Sequence, residues 1–141
     1  MLALTLRTIP RGTPLARRTF STTSVPRKIY ENVSASAFQS RVLSPSPTDA
    51  DTPVLVDFYA TWCQPCKLLS PALKKVASDA SVAGKQVDLV TVDVDVHQDL
   101  AQQFKVSAMP TVIAIKNGKV IDGFVGMLPE KKVIEFVQNL K

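Results

Sequence analysis

The 141-residue chain is predicted to fold as one α/β sandwich around a mixed sheet, preceded by a tail. Three observations predict it. Apolar runs of strand length alternate with apolar patterns at helical spacing. The run Val54-Leu55-Val56-Asp57-Phe58-Tyr59 is almost continuously apolar, as in a strand buried on both faces. The chain then closes with a hairpin and an amphipathic helix.

Residues 29–33 form a short strand candidate, and residues 35–43 a helix capped by Ser34 or Ser36. Residues 44–52, with Pro45 and Pro47 among polar neighbours, read as a loop before the central strand at 53–60. Leu69, Ala72, Leu73, Val76 and Ala80 repeat at helical spacing, with Pro71 predicted to kink that helix and Gly84 to end it. Residues 87–92 make a second buried strand, and 98–104 a short helix. Strands at 111–115 and 120–125 flank Asn117-Gly118, two residues that tolerate positive φ in a tight turn. The last helix carries Val133, Phe136, Val137 and Leu140 on one face, with Pro129 suited to its first turn.

The net charge of +5 belongs to the tail. Residues 1–30 hold six basic residues and no acid, whereas 31–141 hold eleven Lys or Arg against twelve Asp or Glu. A nearly neutral domain lacks the electrostatic footprint of a nucleic-acid binder, and no apolar run reaches the ~20 residues of a membrane span. Residues 1–27, acid-free and rich in Arg, Ser and Thr, read as a mitochondrial transit peptide to be removed, leaving the domain at 28–141. Leu2, Leu6 and Ile9 share one side of a short helix that Pro10 and Pro14 stop; Arg18-Thr19-Phe20-Ser21 resembles a processing site, and a further trim is expected near Arg27. A secretory signal fits worse, because Arg7 interrupts the apolar core; a basic arm without targeting role is the alternative.

Trp62-Cys63-Gln64-Pro65-Cys66 follows the central strand and opens the long helix. A C-x-x-C at a strand-to-helix junction favours redox chemistry. At a helix N-terminus, unsatisfied N–H groups and the dipole favour the thiolate of Cys63, the form that attacks disulfides. Cys66, one turn deeper, is expected to be shielded yet within reach to resolve a mixed disulfide. Pro65 sets φ in the first turn and removes an N–H without a helical partner. Zinc would need four ligands, usually in two pairs, and the rest of the chain offers His97 and carboxylates but no second Cys pair. Haem attachment wants His where Lys67 stands, and a purely structural bridge over so short a loop would stabilise little. Thiol–disulfide exchange is the reading that remains.

From about residue 29 to 141 the sequence resembles the thioredoxin family. The residues that carry the likeness run from Val56 through Lys67, followed by Met109-Pro110-Thr111, Asn117-Gly118 and Val125-Gly126. The resemblance implies a three-layer thioredoxin-like sandwich with a five-stranded mixed sheet in order 1-3-2-4-5, flanked by four helices. It implies a protein disulfide reductase with no bound cofactor, working through a redox-active Cys63–Cys66 disulfide. NADPH-dependent thioredoxin reductase would be the electron donor, disulfide-containing proteins such as peroxiredoxins the targets, and the protein a monomer in the mitochondrial matrix. By this likeness Cys63 attacks, Cys66 resolves, and Asp57 is a buried carboxyl of raised pKa that takes the Cys66 proton; the alternative is an Asp facing solvent at a strand end. Trp62, Met109, Pro110 and Gly126 match substrate-groove positions, Pro110 being the family's cis-proline, whose preceding residue pairs its backbone with an extended substrate. Their bland readings are packing for Trp62, an ordinary trans bond for Pro110 and a strand end for Gly126.

Two departures stand out. Gln64 replaces the usual Gly of the motif, so the typical potential near about −270 mV is not assumed. Thr91 stands near the place of a Lys often found beside the buried carboxylate, so Asp57 is expected to be tuned differently. Tyr59, in place of a common Trp, is expected to pack with its polar tip free. His97 reads as a surface loop residue, and Asp93 and Asp95 as strand-edge solvation. Two other classes share the fold: a binding subunit or chaperone without redox turnover, and a more oxidising oxidase or isomerase suggested by Gln64.

Overall fold

A computed structural model describes residues 28–141; the expectations for residues 1–27 lie outside the described residues. Five strands, β1 (Ile29–Tyr30), β2 (Val54–Tyr59), β3 (Asp88–Asp93), β4 (Thr111–Lys116) and β5 (Lys119–Val125), form one sheet in the order β1-β3-β2-β4-β5. β3 runs parallel to β1 and β2, while β4 is antiparallel to β2 and β5. The sheet is the mixed, 1-3-2-4-5 sheet expected.

β2 lies at the centre, and its residues are buried from Val54 to Phe58. Its pleat feeds two cores. Leu55 points into a cluster with Leu69, Leu73 and Val76 of α2 (Gln64–Ser78) and Val133 and Val137 of α5 (Glu130–Asn139). Val56 and Phe58 enter the opposite cluster, with Phe38 and Val42 on one side and Leu100 of α4 (Gln98–Gln103) on the other. Asp57 falls on the Leu55 face by the alternation of the strand, which directs a carboxyl toward the start of α2.

The helices depart from expectation in two places. α1 (Ala35–Phe38), capped by the Ser34 hydroxyl accepting from the Ala37 N–H at 3.3 Å, continues as a π-helical turn over Gln39–Leu43. The long helix expected to reach Gly84 stops at Ser78. Asp79 adopts an extended conformation, and its carboxylate accepts from the Ser81 N–H at 2.9 Å. It thereby caps a separate α3 (Ala80–Ala83), ended by Gly84. A side chain that competes for backbone N–H groups broke the helix where apolar spacing carried it through. The Asn117-Gly118 hairpin forms as expected, with φ of 53° and 71°.

Candidate active site

The site lies where β2 runs out. After Tyr59 the chain turns through Ala60–Trp62, with the Cys63 N–H donating to the Ala60 carbonyl at 3.1 Å. Cys63 is the N-cap of α2, extended in backbone, and its sulfur accepts from the Cys66 N–H at 3.3 Å. One orphan donor of the helix end thus points at this sulfur, the local polarisation that favours negative charge there. Pro65 lies inside the first turn, and Gln64 opens it with its side chain exposed. Cys63 and Cys66 are joined by a disulfide, their Cα atoms 5.4 Å apart. Both are buried, at 4% and 3% exposure, so the expected contrast between an open and a shielded cysteine is not one of surface area.

The contrast appears instead in what each sulfur-bearing residue faces. A cleft of about 580 Å³ behind the motif is lined by Cys66, Asp57, Tyr59, Lys67, Pro71, Lys74, Glu31 and Thr91; Cys63 does not line it. Asp57 is 2% exposed, and its Oδ1 has no hydrogen-bond partner. Burial alone pushes its carboxyl up to about 7. Thr91 lies beside it in the sheet register and its hydroxyl accepts from the Asn32 N–H at 2.9 Å. Of the two lysines lining the cleft, Lys74 is paired with Glu31. Tyr59 is raised in pKa by burial first and by Asp93 and Asp57 next.

On the other side, Met109 packs partly buried against Cys63, Cys66 and Ala60. The Met109–Pro110 peptide bond is cis. The Pro110 carbonyl accepts from the Gly126 N–H at 2.8 Å, and Gly126 has φ of 91°. Met109 thus packs against the cysteines, and the next residue, Pro110, is hydrogen-bonded to Gly126. Trp62 stands apart from them, 67% exposed, its indole N–H donating to Asp95 Oδ2 at 2.9 Å. Asp95 is itself positioned, its N–H donating to Asp93 Oδ1 at 2.9 Å, and Asp93 is buried. Asp93 and Asp95 were expected only to solvate a strand edge; they hold the tryptophan. The sequence signal was weak, since only the register pairing Tyr59 with Asp93 brings this loop beside the motif. His97 precedes α4, accepting from the Ala101 N–H through its carbonyl.

The family model for thioredoxin matches residues 30–139. The chain belongs to the thioredoxin family. It is 46% identical over 129 residues to the mitochondrial thioredoxin of Rattus norvegicus, covering 92% of this chain and 73% of that protein. It is 44% identical over 128 residues to that of Bos taurus, covering 91% and 72%. Among solved structures, a mutant thioredoxin from Halobacterium salinarum superposes with a TM-score of 0.68 at 25% identity, covering 84% of this chain and 95% of that one. The protein is a thiol–disulfide oxidoreductase of the thioredoxin type. Among the described residues there is no group of three or more His, Cys, Asp or Glu able to hold a metal, and no helix long and apolar enough to cross a membrane.

Proposed function

We propose that the protein is a mitochondrial protein disulfide reductase. The Cys63 thiolate attacks a target disulfide, forming a Cys63–target bond and releasing one target thiolate. Asp57 takes the Cys66 proton; the Cys66 thiolate then attacks the Cys63 sulfur, closing the intramolecular disulfide and releasing the second target thiolate. Two electrons pass to the target. NADPH-dependent thioredoxin reductase restores the dithiol, and disulfide-containing proteins such as peroxiredoxins are the targets. Trp62, Met109, Pro110 and Gly126 receive the target chain. Gln64 and Pro65 tune the stability of the disulfide. The mature protein acts as a monomer in the matrix after loss of residues 1–27.

The observation that carries this reading is the cleft that Asp57 and Cys66 line together and Cys63 does not. It supports separate duties for two equally buried sulfurs. The acid-free tail and the similarity to mitochondrial thioredoxins support the location. The test is coupled NADPH oxidation with thioredoxin reductase and insulin. The wild type should turn over, and Cys66→Ser should accumulate mixed disulfides that Cys63→Ser does not. Equal trapping by both variants, or no turnover with any reductase, overturns the assignment.

A further inference from the structure

The buried carboxylate of Asp88 is not used by the chemistry above. It sits at the start of β3, 9% exposed, and burial raises its pKa. Its hydrogen-bond donor among the described residues is the backbone N–H of Lys28, at 3.2 Å. The Lys28 side chain does not serve it: Nζ donates to both oxygens of Asp49 at 3.1 Å. The Lys28 carbonyl accepts from the Leu89 N–H at 3.0 Å, so the backbone of Lys28 is tied to β3 at two points while its side chain is tied to the Asp49 loop. The same residues line a cleft of about 200 Å³ with Tyr30 and Arg41, whose guanidinium lies over the Tyr30 ring and donates to its hydroxyl. The groups facing Asp88 are therefore Lys28, Asp49, Tyr30 and Arg41.

We propose that processing hydrolyses the Arg27–Lys28 bond and that the α-ammonium so created pairs with the Asp88 carboxylate, fastening the mature N-terminus to the sheet. Water adds across the peptide bond; Arg27 leaves with the new carboxylate, and the neutral N–H that touched Asp88 becomes a protonated amine. A charge-assisted bond replaces a neutral-donor one. This rests on the mitochondrial reading above. An amine gaining such a partner holds its proton above the ordinary α-amino range of about 7.7–8.0. The pair's stabilisation is thus full only where Asp88 is ionised and the amine protonated: it is lost as pH falls through the raised Asp88 value and as pH rises through the raised amine value.

The experiment imports the full chain into isolated mitochondria and determines the first residue of the recovered protein by mass spectrometry. Lys28 is expected. An imported chain that begins elsewhere overturns this proposal and the loss of residues 1–27 with it, and leaves the mitochondrial location standing; failure to import overturns the mitochondrial reading and the processing step together. In the processed protein, acylation of the α-amine at neutral pH should be about tenfold slower than in Asp88→Asn, the free-amine fraction lost for one pH unit of upward displacement. Equal rates overturn the ion pair. Should Asp88→Asn not fold, selective acetylation of the α-amine removes the charge and keeps an N–H; it must lower the thermal midpoint, and an unchanged midpoint overturns the pair.

Discussion

Burial governs Asp57. Its carboxyl ionises near 3.8 when exposed and about 7 in the fold. Between those values the native protein holds a proton that the unfolded chain has lost. Its contribution to stability is therefore full below the lower value and lost as pH rises through the upper one. At roughly 1.4 kcal/mol per pH unit, ionised Asp57 costs the oxidised fold about 4 kcal/mol. Asp57→Asn removes the titration, so the wild type should lose about that much stability relative to the variant between about pH 3 and about pH 8; a difference that stays flat in denaturant unfolding would refute it. The same variant should slow closure of the Cys63–Cys66 disulfide on a mixed disulfide by about 100-fold and erase the inflection near pH ~7 in stopped-flow resolution rates. The sequence exposed Asp57 because a lone charge inside an apolar run has no innocent place to go. It hid the Trp62–Asp95 contact, which depends on the β2–β3 register, and the Glu31–Lys74 pair, which depends on how α2 packs beside the end of β1.

At the scale of elements, the connections carry more constraint than the strands they join. Gly118 has φ of 71°, and a Cβ there would collide with the Leu43 carbonyl at the end of the π-helical turn. Gly126 has φ of 91°, yet a Cβ there would meet nothing within 4 Å. Gly126→Ala should therefore lose only the backbone term, about 1–2 kcal/mol, whereas Gly118→Ala adds a clash with main chain and should lose clearly more. Equilibrium unfolding in urea ranks them; equal losses would show that the Leu43 contact yields. The hairpin was legible because Asn-Gly states its φ requirement locally. The break at Asp79 was not, because Ala80 continues the helical spacing of Val76 while the aspartate's competing hydrogen bond depends on how the chain leaves α2.

At the scale of the whole molecule, the central strand divides the protein into two cores that share only the thickness of a sheet. The almost continuous apolar run along β2, interrupted only by Asp57, announced a strand covered on both faces and so the layered class; its order among the other strands came from family likeness rather than periodicity. Val76, on the buried face of α2, lies in one core, and Val42, in the π-helical turn after Phe38, lies in the other, both fully or almost fully buried. No cluster contains both residues, so a cavity on one face leaves the packing of the other untouched. Val76→Ala and Val42→Ala should each destabilise by about 2 kcal/mol, from lost apolar burial plus the residual cavity. The double variant should lose the sum to within about 0.5 kcal/mol in two-state unfolding, as independent sites do. A coupling larger than that would mean that β2 transmits strain through its backbone. Repacking beneath α1 would then reach the helix that carries the cysteines, and the rate of disulfide exchange should change in Val42→Ala even though Val42 touches neither sulfur. An unchanged exchange rate beside additive stabilities is the outcome the two-core architecture requires.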